Sequence, residues 1–122
     1  MKIQKFEDII AWQKAQDLAV AVYKEFEKST DYGFKNQIQR AVVSISNNIA
    51  EGFDRHSDKE FIHFLYISSG SCSEVRSMLY LSVKLNFLSG EDAEKLINQT
   101  NEISKIVRGL IKSITLPLTT NN

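Results

Sequence analysis

Apolar residues recur every three or four positions in four separate stretches of the chain. This spacing places them on one face of an α-helix. In the first stretch the face is formed by Ala11, Ala15, Leu18, Val22 and Phe26, with Trp12, Ala19 and Tyr23 beside it. In the last stretch an alternation of threes and fours, typical of a bundle seam, runs through Ala93, Leu96, Thr100, Ile103, Val107, Leu110 and Ile114. The pattern therefore predicts four amphipathic helices.

The residues between these stretches predict where each helix begins and ends. We expect helices over about 8–27, 32–51, 57–86 and 89–115. Their N-terminal caps are side chains that accept a hydrogen bond from the first turn: Asp8, Thr30 or Asp31, Ser57 in a capping box with Glu60, and Ser89. Their C-terminal ends are expected at Gly52 in a left-handed conformation, at Asn86 and at Pro117, beyond which Leu118 to Asn122 should fray.

The connections between the predicted helices are only a few residues long, which makes neighbouring helices run antiparallel. A chain of 122 residues is long enough for one compact core and too short for two domains. The sequence therefore predicts one all-α domain over residues 1–122, an antiparallel up-down-up-down four-helix bundle.

The third predicted helix is apolar on more than one side. A first stripe is Phe61, Leu65, Ser68, Cys72, Val75, Leu79 and Ser82, and a second is Phe64, Ile67, Ser71, Met78, Leu81 and Leu85. Because each helix of a bundle keeps a solvent face, this excess predicts packing against another subunit. The small residues at 68–73 would let a helix approach closely; a phosphate-binding loop is the alternative, but its glycine pattern and lysine are absent. The candidate oligomer contacts are Tyr66, Ser69, Gly70, Ser73 and Tyr80.

A polar stripe follows the second predicted helix beside its apolar face. Its members are three or four residues apart and comprise Gln37, Arg40, Ser44, Asn48 and Glu51, with Arg55 just beyond. One interpretation is a hydrogen-bonded ladder at a helix or subunit interface, and the other is a groove for a ligand or nucleic acid. We favour the first, because polar groups at interfaces often fix specificity.

Composition and charge narrow the classes of partner and compartment. Lys and Arg total 15 and Asp and Glu total 15, so the formal charge is zero, which argues against a dedicated nucleic-acid binder. Cys72 is the single cysteine, so no intrachain disulfide forms and a reducing cytoplasm is expected. No stretch approaches the roughly 20 apolar residues of a membrane span, and the acids Glu7 and Asp8 do not fit a signal peptide.

The sequence offers no recognisable catalytic apparatus. The two histidines, His56 and His63, lack the further ligands that a metal site requires. Cys72 lies in an apolar stripe, where a buried, inert thiol is the common case. We expect no catalytic, metal-binding or cofactor-binding residues, no small-molecule substrate and no enzymatic activity.

Several segments together resemble one known family. They are residues 6–15, Tyr32-Gly33, 37–41, the Ser44–Gly52 segment with its Asn-Ile-Ala-Glu-Gly run, Arg55, 61–65, Gly70-Ser71 and Glu74. The chain is similar here to four-helix-bundle proteins encoded in intervening sequences of bacterial 23S ribosomal RNA genes. The resemblance implies a homopentamer with a central channel. It also implies similarity to the accessory variability protein of diversity-generating retroelements, which engages a reverse transcriptase and nucleic acid.

The sequence departs from the family pattern at a few points. Ser46-Asn47 stands where the family often has Pro-Ser, and Cys72-Ser73 replaces the usual apolar-polar pair. The retroelement relatives are strongly basic, whereas this chain is neutral. Our first hypothesis is therefore a cytoplasmic homo-oligomeric scaffold or adaptor acting through protein–protein contacts. The alternative is an RNA-binding or nucleoprotein module that accompanies a reverse transcriptase.

Overall fold

The protein is built from four long helices. The computed structural model describes the backbone of residues 3–120 and the side chains of residues 3–115. A short 3-10 turn at Phe6–Asp8 precedes α1 (Ile10–Phe26), α2 (Tyr32–Asp54), α3 (Asp58–Lys84) and α4 (Gly90–Thr120). No strand occurs within residues 3–120, and no helix there is long and apolar enough to cross a membrane.

The helices pack as the four corners of a square. Helix α1 lies against α2 and α4, and α3 lies against α2 and α4, whereas the diagonal pairs have no Cα atoms within 8 Å of each other. Consecutive helices are joined by short loops and so run in opposite directions. The predicted all-α, up-down-up-down bundle is therefore confirmed.

The core is formed by the apolar faces that the sequence periodicity predicts. Every member of the first stripe of α1 and the first stripe of α3 is buried. Each fully buried Leu, Ile or Phe side chain stabilises the fold by roughly 1.5–3 kcal/mol relative to exposure. Polar groups inside are paired: the Ser68 hydroxyl donates to the carbonyl of Ile45 at 2.8 Å. Among the described side chains, no buried nitrogen or oxygen lacks a hydrogen-bond partner.

Three of the predicted N-terminal caps are confirmed. The side chain of Asp31 accepts from the amide of Phe34 at 3.1 Å, Ser57 accepts from Glu60 at 3.3 Å, and Ser89 accepts from Asp92 at 3.0 Å. Asn86 follows α3 with a left-handed φ of 61°, as expected of the residue that ends it. These local polar groups therefore set the helix ends where the sequence places them.

The predicted cap at Asp8 is wrong. Residues Phe6–Asp8 form the 3-10 turn, and Ile9 occupies the N-cap position of α1 without any side-chain capping bond. Ile9 is 2% exposed, and the ring of Phe6 packs edge-on against Trp12 with 5.3 Å between centroids. Apolar anchoring on the core thus decides where α1 begins, in place of a capping side chain.

The predicted end of α2 at Gly52 is also wrong. Helix α2 continues to Asp54, and the left-handed residue is His56, with a φ of 56°. Gly52 is buried inside the helix. A side chain does not fit there, because a Cβ would lie 2.4 Å from the Cβ of Phe64 on α3. Its glycine serves close helix packing rather than a turn.

The predicted stop at Pro117 is wrong as well, since α4 extends to Thr120. A proline removes its own N–H bond and can kink a helix, but it does not prevent the residues after it from being helical. Of the tail expected to fray, residues 118–120 are helical, and Asn121 and Asn122 lie outside the described residues.

Candidate interaction surfaces

The N-terminal part of the polar stripe on α2 forms a hydrogen-bonded ladder with α3. The hydroxyls of Ser44 and Ser71 are 2.8 Å apart, so each can bond the other. The amide nitrogen of Asn48 donates to both the carbonyl and the hydroxyl of Ser44, at 2.8 Å each. Gln37 donates to the carboxylate of Glu74 at 3.3 Å. Ser44 and Gln37 therefore hold α2 against α3 inside one chain, and Asn48 braces Ser44 from within α2.

A charged cluster lies at the C-terminal end of the stripe. The guanidinium of Arg55 lies 3.2 Å from the carboxylate of Glu51 and 3.6 Å from that of Glu60. It also stands 5.1 Å above the ring centroid of Phe64. All three charged groups are about half exposed, so each pair contributes little stability, but together they fix the corner between α2 and α3.

Arg40 differs from the other members of the stripe. Its side chain is exposed and makes no hydrogen bond or ion pair with any residue that the structure describes. It borders an open groove of about 600 Å³ towards α1 and another of about 480 Å³ towards α3. The amides of Asn36, Gln39 and Asn47 lie around it. Arg40 is therefore available to a carboxylate or phosphate of a partner.

The outer face of α3 carries a line of residues that the core does not use. Tyr66 is 62% exposed and Tyr80 is 57% exposed. Between them, at spacings of four and three, lie the exposed Gly70, Ser73 and Ser77. We call these five residues the α3 ridge. Ser69, also predicted as a contact, is half-buried beside the ridge.

The second apolar stripe predicted for α3 divides between core and surface. Met78 is buried and belongs to the chain's own core, whereas Phe64 is half-buried with its ring beneath the guanidinium of Arg55. The other large members are exposed beside the ridge and comprise Ile67, Leu81 and Leu85. The predicted excess of apolar surface on α3 therefore exists in the folded chain.

A second exposed apolar surface lies between α1 and α2, and sequence reasoning missed it. Val20 is 56% exposed and Tyr23 is 43% exposed, and they line a groove of about 600 Å³ with Ala19 and Val43. We call this groove the α1/α2 trough. The pattern had placed Tyr23 beside the core face of α1, whereas its side chain points into the trough. The signal was Val20, an apolar residue on the side of α1 away from its core stripe.

The groups with nucleophilic or metal-binding potential do not form a reaction site. The Cys72 thiol is 1% exposed, donates to the carbonyl of Thr100 at 3.3 Å and accepts from the hydroxyl of Ser104 at 3.4 Å. Burial raises the pKa of Cys72, and the Ser104 bond and Arg76 only partly oppose this. In the described part of the chain no group of three or more His, Cys, Asp or Glu side chains is placed to hold a metal ion.

Comparison with known proteins identifies the family. The model of the family described as 23S rRNA-intervening sequence protein matches residues 7–109. The chain belongs to this family. The match includes all of α1 to α3, both exposed apolar surfaces and the polar stripe, and it confirms the family resemblance inferred from residues 6–74.

A solved structure supports the same assignment. It is described as a protein of unknown function from the S23 ribosomal protein family of Bacteroides thetaiotaomicron. That chain is 27% identical to this one, the alignment covers 84% of this chain and 99% of the other, and the TM-score is 0.79. No curated protein sequence matches the chain. The family and the fold are therefore fixed, and the biological role is a matter for inference from the surfaces.

Proposed function

We propose that this family member is a non-enzymatic protein that assembles with copies of itself and acts as a cytoplasmic scaffold or adaptor through protein–protein contacts. The observation that carries the proposal is the α3 ridge, with two tyrosines more than half exposed beside Ile67 and Leu81. Large aromatic side chains are enriched in protein interfaces and dominate their energetics. Exposure of this apolar surface to water adds no stability to a monomer, and such patches mark interaction sites.

Gly70, in the middle of the ridge, supports the same conclusion. A Cβ at this position would meet no atom within 4 Å, so packing inside the chain does not require glycine. A glycine in a helix interior costs about 1 kcal/mol relative to alanine. Close approach of a helix from another copy would offset that cost, as small residues allow backbones to approach.

The assembly proposal is tested by sedimentation of the purified protein. We expect a species several times heavier than the 13.9 kDa chain, five copies being the number that the family resemblance implies. Tyr66→Glu and Tyr80→Glu should reduce the mass towards one chain while the far-ultraviolet circular dichroism stays helical. Ile10→Glu is the matched control, because Ile10 is 52% exposed but lies on α1, away from the ridge. A wild-type protein that sediments as one chain at micromolar concentration would refute the proposal.

A second candidate function is binding of RNA or a nucleoprotein, such as a reverse-transcriptase complex. Arg40 favours it, because this exposed cation has no partner among the described residues and is surrounded by amides that can bond bases or phosphates. Binding of this kind weakens steeply with salt. Arg40→Glu should weaken RNA binding at low salt, whereas Arg108→Glu, an exposed arginine on α4, serves as the control. RNA affinity that neither salt nor Arg40→Glu alters would exclude this function for the Arg40 surface.

A further inference from the structure

We propose that the α3 ridge of one copy seats in the α1/α2 trough of the next, so that copies join head to tail around an axis parallel to their helices. The inference rests on the proposed self-assembly and adds which two surfaces meet. Of the nine large apolar side chains exposed in the described part of the chain, four lie on α3, a fifth directly follows it, and two lie in the trough. The first surface is convex and the second is concave, so each has the shape that the other requires.

The heights of residues along the bundle decide which of them would meet. Rotation about an axis parallel to the helices leaves every residue at its own height. Within the chain, Gln16 bonds Ser46 at 2.9 Å and Ser68 bonds the carbonyl of Ile45 at 2.8 Å, so positions 16, 46 and 68 share one level. Each residue further along α1 or α3 lies about 1.5 Å higher on the bundle axis, and each residue further along α2, which runs the opposite way, lies about 1.5 Å lower.

The small residues of the ridge then stand level with the bulky residues of the trough. Val20 is about 6 Å above the common level and Ser73 about 7.5 Å. Tyr23 is about 10.5 Å above it and Ser77 about 13.5 Å. The side chains of Val20 and Tyr23 therefore face the stretch of α3 where Gly70, Ser73 and Ser77 leave room for them. Bulky groups would meet small ones, as knobs meet holes.

The two tyrosines of the ridge fall at the two ends of the trough. The trough reaches from Gln16 at the common level to Glu27, about 16.5 Å above it. Tyr66 lies about 3 Å below the common level and Tyr80 about 18 Å above it. The ridge and trough therefore match in length, and each tyrosine would close one end of the contact.

Charges beyond the tyrosines match as well. Lys59 and Asp54 are about 13.5 Å and 12 Å below the common level, and Lys84 and Asp31 are about 24 Å and 22.5 Å above it. All four side chains are exposed, and none takes part in an ion pair among the described residues. Head-to-tail contact would pair each lysine with an aspartate, whereas an antiparallel contact between two α3 ridges would bring Lys59 towards Lys84.

The area and the direction of the contact fit a closed assembly. Helix α3 has 27 residues. The part of it that faces the trough, from Tyr66 to Tyr80, is about 21 Å long, so seating a third of its circumference buries about 250 Å² on each copy. The lysine–aspartate pairs beyond the tyrosines extend the contact towards the size at which interfaces become specific. The α3 corner and the α1/α2 side are not on diametrically opposite sides of the bundle, because α3 packs against α2. Because the two faces meet at less than 180°, successive copies would curve towards a closed ring instead of a straight filament.

The experiment is thiol crosslinking of the intact protein with a short bismaleimide. The variant Val20→Cys/Ser73→Cys should give a ladder of linked chains on a denaturing gel, since each copy carries both reactive faces. The link is expected between copies, because α1 and α3 are diagonal helices with no Cα atoms within 8 Å of each other, and Val20 and Ser73 are both exposed on the outside of the bundle. Val20→Cys alone and Ser73→Cys alone should stay unlinked. The wild-type protein is the background control, as its Cys72 is buried.

Outcomes separate this inference from the proposed self-assembly. Linked dimers from Ser73→Cys alone would show two ridges back to back and overturn the head-to-tail contact. Unlinked chains from the double variant, in a preparation that still sediments as an oligomer, would overturn it too and leave self-assembly intact. A protein that sediments as a single chain would overturn both. As a second variant test, Lys59→Glu should weaken assembly a few-fold, and adding Asp54→Lys should restore it.

Discussion

Gly52 lies at a close contact between α2 and α3, so the substitution Gly52→Ala tests this packing directly. The added Cβ would lie 2.4 Å from the Cβ of Phe64 and 3.2 Å from both the Cγ of Phe64 and the Cδ1 of Phe61. The nearest atom is the first carbon of a side chain fixed to the backbone of α3. It cannot rotate away, and the two helices must move apart.

Two effects of opposite sign set the size of the change. Alanine favours a helix interior over glycine by about 1 kcal/mol. Forcing an extra methyl group into a packed interior costs about 1–3 kcal/mol, and this site belongs at the upper end because backbone must shift. We therefore expect Gly52→Ala to lower the free energy of unfolding by about 2 kcal/mol, which corresponds to a Tm lower by about 6–10 °C for a chain of this size.

Urea unfolding followed by circular dichroism measures the effect. Gly109→Ala is the matched control: it is also inside a helix, but a Cβ there meets nothing within 4 Å, so it should stabilise the fold by about 0.5–1 kcal/mol. Phe64→Ala should not rescue Gly52→Ala, because alanine keeps the clashing Cβ. A Gly52→Ala protein as stable as the wild type would refute the reasoning.

Two further predictions concern a helix cap and the buried thiol. Ser57→Ala removes the acceptor of the Glu60 amide and should cost about 1 kcal/mol in urea unfolding, with Ser113→Ala, an exposed serine within α4, as the control. Because burial raises the pKa of Cys72, the folded state holds the thiol proton more tightly than the unfolded chain does. The resulting stability is complete below the ordinary thiol pKa of about 8.5 and is lost as pH rises through the raised value. Unfolding at pH 7 and pH 10 should show this loss in the wild type; an equal loss in Cys72→Ala would contradict it.

The family resemblance and the fold were both available from residue spacing and local motifs. Repeats of three and four placed Leu18, Leu65 and Ile103 in the core, and all three are buried. Asp31, Ser57 and Ser89 marked helix starts because the bonds that they accept come from residues three positions away. Such signals are contained in a few neighbouring residues, so they can be found without the tertiary structure.

The failures at Asp8 and Gly52 share one cause. Each residue type suits a helix end, but tertiary packing assigned it another place. Ile9 and Phe6 are drawn onto the core, which moves the start of α1 past Asp8. Gly52 meets Phe61 and Phe64, residues from the next helix, and no local pattern reveals that contact.

In the polar stripe and the exposed surfaces, too, sequence spacing predicts some features and tertiary packing decides the others. Sequence spacing put Gln37, Ser44 and Asn48 on one side of α2, as the structure has them. It left open whether their partners were in the chain or outside it. The bonds of Ser44 to Ser71, of Gln37 to Glu74 and of Asn48 to Ser44 place those partners inside the chain. Sequence spacing also found the surplus of apolar residues on α3. It missed the trough, because a groove between two helices exists only once both are in place.

The amino-acid sequence by itself determined the helices, most of the helix caps, the core faces and the family of this protein, since each depends on the order of residues within one helix or turn. The tertiary structure decided which polar groups are satisfied inside the chain, why Gly52 must be glycine, and that the described part of the chain leaves Arg40, the α3 ridge and the α1/α2 trough exposed. These properties depend on distances between residues far apart in sequence, which only the packing of the four helices sets.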